Sequence, residues 1–261
     1  MTVLSGPIEV GGLRTHCRVQ GEGPPAVLLH GWGTEGASLQ PLVAHLAPRY
    51  RTVTPDLPGF GGTALPPTDW GVDDYADWVT RLLVKLGIDR ALFLGHSNGG
   101  RIAIVLAATR PELVERLVLV NSAGLRPELS AKQRAAAPVS KLGRAASGLP
   151  LVGSLAERMR GRWHQALGAE DYANAGPLRG TFVKIVNRDL RDLLPAVQAP
   201  TLLLWGERDD ATPLSAGETM QQLIPNARLV VLPGAGHYSY LDRPAEACAA
   251  LDEFLASSQV R

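Results

Sequence analysis

Four stretches of the chain are almost wholly apolar and only five or six residues long: PAVLLH (25–30), ALFLG (91–95), RLVLVN (116–121) and TLLLWG (201–206). A strand with one wet face alternates apolar and polar residues, so unbroken apolar runs predict strands covered on both faces, as in a parallel sheet between layers of helix. RTHCRVQ (14–20), YRTVTP (50–55) and ARLVVL (227–232) read as further strands beside turn-forming residues. Helical spacing fills the gaps between them. In VDDYADWVTRLLVKLG, Val72, Tyr75, Ala76, Val79, Leu82, Leu83 and Leu86 recur at steps of three and four and make one apolar face. SLQPLVAHL (38–46), the segment after Ser97, LSAGETMQQLI (214–224) and residues 245–256 read the same way.

The strand–helix rhythm stops after Asn121 and resumes at TLLLWG. Between lie helical segments such as LAERMRGRWHQAL (155–167) and TFVKIVNRDLRDLL (181–194), with no strand pattern. This predicts one α/β core, residues 1–125 and 196–261, interrupted by a helical lid over residues 126–195. A chain of 261 residues, 45% apolar and 20% charged, is long enough for that single core.

A net charge of +1 gives no single-signed field, which argues against nucleic acid, anionic membrane or polyanionic partners and for a small-molecule substrate. Cys17 and Cys248 cannot make a disulfide framework or a four-ligand zinc site, and read as buried core thiols. With no signal-peptide pattern and no apolar run of membrane-spanning length, the expectation is a cytoplasmic protein, monomer or dimer left open.

The chemistry centres on GHSNG (95–99), set between the run ALFLG and a helical segment. A strand that turns at once into a helix crowds the bend, and Gly95 and Gly99 remove the Cβ atoms that would clash there. Ser97 is left at the apex, in the strand–turn–helix context that a Gly-x-Ser-x-Gly nucleophile elbow requires. A serine hydroxyl needs a base within reach and a third group to orient that base. Asp209 follows the strand TLLLWG and His237 follows ARLVVL, so both leave the same carboxyl edge of the sheet as Ser97.

With HGWG (30–33), DLPGFG (56–61), GHSNGG (95–100), WGERDDATP (205–213) and GAGHY (234–238) in this order, the chain resembles the α/β-hydrolase family over nearly all its length outside the insertion. The resemblance implies a mostly parallel eight-stranded sheet flanked by helices, with a helical cap after the sixth strand. It implies Ser97 as nucleophile, Asp209 as acid and His237 as base. Asp210 is a rival acid, although the spacing from Gly206 and to Pro213 favours Asp209. Some members carry the acid after the sixth strand, where this chain has the neutral Asn121. The backbone N–H of Asn98 and, by resemblance, that of Trp32 would form the oxyanion hole.

The Asn98 side chain, polar where many relatives are apolar, either touches substrate or is bonded locally. His30 and His96 occupy positions that the family uses structurally; His16 and His45 are single residues on ordinary elements, and His164, beside Trp163 in the lid, either lines the pocket or is half-exposed. Arg101, one helical turn past Ser97, needs a carboxylate if buried, and Asp56 is the candidate. Trp163, Phe182 and Tyr238 are candidate pocket walls or plain core. There is no HExxH and no other ligand cluster, so no metal or cofactor is implied.

A serine with a histidine base and an oxyanion hole predicts acyl chemistry, best matched by hydrolysis of a small carboxylic ester through an acyl-serine. Haloalkane dehalogenases and epoxide hydrolases resemble this chain but carry aspartate at the elbow. Carbon–carbon bond hydrolases typically show asparagine before the nucleophile and tryptophan after the histidine, where this chain has His96 and Tyr238. Acyltransferases and haloperoxidase-like esterases stay open, as does a ligand receptor on the same fold.

Overall fold

The computed structural model describes residues 4–126 and 169–257. Eight strands form one sheet in the order β1-β2-β4-β3-β5-β6-β7-β8. They are β1 (Leu4–Val10), β2 (Leu13–Gln20), β3 (Pro25–Leu29), β4 (Arg51–Pro55), β5 (Ala91–His96), β6 (Val114–Val120), β7 (Thr201–Gly206) and β8 (Ala227–Leu232). β1–β2 and β2–β4 pair antiparallel, and every pair from β4 to β8 is parallel.

The apolar runs are the central strands, and their period of two divides the core between the sheet's faces. Val27, Leu29, Phe93, Leu117, Leu119, Leu203 and Trp205 pack on one side, against α2 (Val72–Lys85), α3 (Asn98–Thr109) and Met220. Leu28, Leu92, Leu94, Val118, Val120, Leu202 and Leu204 pack on the other, against α1 (Gln40–Leu46) and a C-terminal helix from Pro244 to Ala256. The predicted apolar face of α2 is buried from Val72 to Leu83, with Trp78 added. Asp74 accepts the orphan backbone N–H of Gly71 at 2.7 Å and fixes where that helix begins.

β1 and Cys248 differ from expectation. β1 carries Gly6 and Pro7, which break a strand pattern, but it lies at the sheet edge, where a missing donor is tolerated. Cys17 is buried as expected, whereas Cys248 is only partly so, because it flanks the buried stripe of Ala247, Ala250 and Leu251.

Eighty residues separate the neighbouring parallel strands β6 and β7. The expected helix 155–167, with Trp163 and His164, lies outside the described residues. The described part holds α4 (Ala169–Asn174) and α5 (Arg179–Asn187), and it packs on the rim: Thr181 Oγ1 accepts the Trp70 N–H at 2.9 Å. The helix expected through Leu194 stops at Asn187. Asp189 takes the backbone N–H of Arg191 at 3.0 Å, a side-chain bond that competes with helix.

Candidate active site

Ser97 joins β5 directly to α3 with φ 52 and ψ −114, a left-handed backbone that costs a side-chain-bearing residue about 1–3 kcal/mol. Its neighbours explain why the bend is made of glycine. A Cβ on Gly95 would lie 2.5 Å from the Gly99 carbonyl oxygen, and one on Gly99 would lie 2.1 Å from that of Leu29. No side chain fits at either place.

Asp209 sits in the turn after β7, its side chain fully buried. Its Oδ1 accepts the backbone N–H groups of Ala211 and Thr212, both at 2.9 Å, while Oδ2 accepts Thr212 Oγ1 and Asn121 Nδ2, both at 2.6 Å. His237, in the loop after β8, places Nδ1 2.9 Å from Oδ2 and 3.1 Å from Oδ1. Burial alone would raise the Asp209 pKa, but the bonds from His237 and Thr212 outweigh it and hold the carboxyl below its ordinary value. A carboxylate facing Nδ1 keeps the imidazole proton there, so Nε2 carries the lone pair. Asp210 is exposed; the partner of His237 is Asp209.

Ser97 and His237 line one cavity of about 540 Å³ at the carboxyl edge of the sheet. No hydrogen bond joins Ser97 Oγ to His237 among the described residues. Trp32 and Asn98 line the same cavity. Asn98 is the first residue of α3, so its N–H has no partner one turn back. The HGWG loop lies against Ser97: a Cβ on Gly31 would be 3.3 Å from Ser97 Cβ. The Asn98 side chain is buried with neither Nδ2 nor Oδ1 bonded, so the local bond considered for it does not form.

Of the expected walls, Phe182 and Tyr238 line the cavity and Trp163 lies outside the described residues. Phe182 packs on Trp32 with ring centroids 5.0 Å apart, and Tyr238 lies 5.0 Å from His96. His30 and His96 brace backbone. His30 Nδ1 donates to the Gly31 carbonyl and Nε2 accepts the Leu57 N–H, both at 2.8 Å; His96 Nε2 donates to the His237 carbonyl at 3.0 Å. Burial lowers both pKa values to about 4, so both rings are neutral.

Three features escaped sequence reasoning. Asn121, with φ 44, donates Nδ2 to Asp209 and accepts Ser239 Oγ at Oδ1, tying the turn of Asp209 to the loop of His237. Thr212 holds the same carboxylate; Asp209 followed by residues two and three further on is a local Asx pattern that could have revealed it. The pairing expected between Arg101 and Asp56 does not form. Asp56 binds His16 Nδ1 at 2.8 Å and the backbone N–H groups of Gly36 and Gly62 at 2.9 Å, whereas Arg101 donates Nη1 to the Arg188 carbonyl at 3.0 Å. Asp56 follows β4 and is engaged by the β2 side of the sheet, while Arg101 reaches Arg188 in the described segment between β6 and β7. Among the described residues, no cluster of three or more potential ligands could hold a metal, and no helix is long and apolar enough to cross a membrane.

Residues 24–244 match the alpha/beta hydrolase fold family. The pimeloyl-[acyl-carrier protein] methyl ester esterase of Chromobacterium violaceum is 32% identical over 248 residues, covering 90% of this chain and 95% of its own. A solved bacterial membrane phospholipase A, described as a virulence factor, superposes with a TM-score of 0.76 at 27% identity, covering 98% of this chain and 87% of its own. The enol-lactonase of Burkholderia xenovorans LB400 does so with a TM-score of 0.73 at 25% identity, covering 97% and 100%. A matched stretch that spans six of the eight strands whole, with the sheet order described above, makes this chain a member of the α/β-hydrolase family.

Proposed function

We propose that the protein is a serine hydrolase that cleaves a small carboxylic ester through an acyl-serine intermediate. The observation that carries this reading is the Asp209–His237 pair, 2.9 Å apart, opening on the same cavity as the strained Ser97. His237 Nε2 takes the Ser97 hydroxyl proton as Oγ attacks the ester carbonyl carbon. The tetrahedral oxyanion is held by the Asn98 and Trp32 N–H groups, and a donor so placed lowers the barrier by about 2.7–4 kcal/mol. His237 then gives the proton to the leaving alkoxide oxygen, the C–O bond breaks, and an acyl-Ser97 ester remains. Water, deprotonated by the same Nε2, releases the carboxylic acid and restores the serine. Asp209 stays ionised throughout and stabilises the transient imidazolium.

The open Ser97–His237 contact is compatible with this cycle, since such bonds often tighten only around substrate. Residues 126–195 act as the cap, with Phe182 and Tyr238 on the pocket wall. The 32% identical methyl ester esterase supports the ester reading, and meta-cleavage product hydrolases of the same fold keep carbon–carbon cleavage as the second reading. Turnover of p-nitrophenyl acetate and butyrate tests it. Multiple turnovers that fall at least 10⁴-fold, on the order expected for a triad member, in Ser97→Ala support it. Labelling by a fluorophosphonate with no turnover of any ester would favour the receptor reading instead.

A further inference from the structure

Arg101 is out of place for a residue that merely fills the core. It lies on α3 four residues past Ser97, about one helical turn along the axis from the bend. It is buried, with 7% of its surface exposed, and it lines the catalytic cavity. A guanidinium has five N–H donors, and the one protein bond Arg101 makes among the described residues is to the Arg188 carbonyl. No carboxylate stands within ion-pair range of it there. Asp189 acts on it through space but binds the Arg191 side chain and the backbone N–H groups of Arg126 and Arg191.

A buried charge without a counter-charge is destabilising, and burial lowers the Arg101 pKa to about 10, which leaves it cationic at neutral pH. The described ionised residues that line the cavity with it are Arg126, Asp171 and Arg191, the last ion-paired with Asp189. The orphaned amide of Asn98 lies between Ser97 and Arg101 on the same helix.

We propose that Arg101 is an anion subsite of the catalytic cavity, and that the ester cleaved at Ser97 carries a carboxylate a few bonds from its scissile carbonyl, as in a half-ester of a short dicarboxylic acid. This rests on the hydrolase reading for its chemistry, although the binding step stands without it. The planar fork of arginine pairs with both carboxylate oxygens at once, and the low-dielectric cavity strengthens that pair. The charge missing from the protein is then supplied by the substrate.

The test uses the Ser97→Ala protein, in which ligands bind without turnover, and calorimetry with the monomethyl esters of succinate, glutarate and adipate beside their uncharged dimethyl esters. At least one half-ester binds tenfold or more tightly than its diester. Arg101→Met removes that preference, and Arg101→Lys, which keeps the charge but loses the fork, retains part of it. The half-ester and diester comparison requires no change at Arg101, so the proposal stays testable if a variant fails to fold. Equal affinity of half-esters and diesters, no binding of any half-ester, or a preference that survives Arg101→Met would each overturn it. A failure of the hydrolase reading is separate: half-esters would then bind as stated while the unmutated protein turned over no ester.

Discussion

Replacing Asp209 with asparagine changes one oxygen into an amide nitrogen at the most densely bonded carboxylate of the site. Oδ1 faces two backbone N–H donors, of Ala211 and Thr212, so the asparagine oxygen is held there and the new NH2 takes the place of Oδ2. In that place it meets the Asn121 Nδ2 donor, loses the acceptor for Thr212 Oγ1, and offers His237 a donor instead of an acceptor. The imidazole responds by accepting at Nδ1, which moves its proton to Nε2 and removes the base from the cavity. Loss of the acid in a comparable triad lowers kcat by on the order of 10⁴, equivalent to about 5 kcal/mol on the barrier. Steady-state kinetics with p-nitrophenyl butyrate read this as a fall in kcat with little change in KM, and Asp210→Asn serves as the control. A fall of less than tenfold in Asp209→Asn, or a larger one in Asp210→Asn, would refute the assignment.

Asn121→Ala should lower stability by about 2–3 kcal/mol in chemical denaturation, since it strands buried partners on Asp209 and Ser239, and should reduce kcat as the acid loosens. Gly99→Ala should cost more than about 4 kcal/mol or prevent folding, because its Cβ would lie 2.1 Å from the Leu29 oxygen, whereas Gly33→Ala, with open space around it, should cost about 1 kcal/mol for its φ of +72. Stability should fall by about 3–4 kcal/mol between pH 7 and pH 5, read from urea midpoints. The sign follows from His30 and His96, held near 4 against an ordinary 6.5: the unfolded chain binds their protons first, so stability is full above 6.5 and is lost as pH falls toward 4. The depressed Asp56 and Asp209 add their own loss only below the ordinary carboxyl range.

The parts of the fold legible in the sequence are those fixed by burial on both sides. Unbroken apolar runs announce β3, β5, β6 and β7, and three-to-four spacing announces α2. β1 is hidden because an edge strand tolerates Pro7, and the end of α5 because a local Asp189 bond outcompetes helical periodicity. At the site, the junction glycines and the acid-then-histidine order carry chemical information in one dimension. Arg101 and Asp56 show where that stops: charge complementarity along a sequence says nothing about which end of a strand or which side of a loop each group occupies. Asn121 reads as the lack of an acid, yet its amide is what ties Asp209 to the histidine loop.

The most direct measurement is the position and stoichiometry of a fluorophosphonate adduct, read by peptide mass spectrometry while residual ester hydrolysis is followed in the same sample. One adduct per chain is expected, on Ser97, with activity lost in proportion to labelling and both abolished in His237→Ala. Full labelling of Ser97 with hydrolysis intact, or an inactivating adduct on another residue, would contradict it.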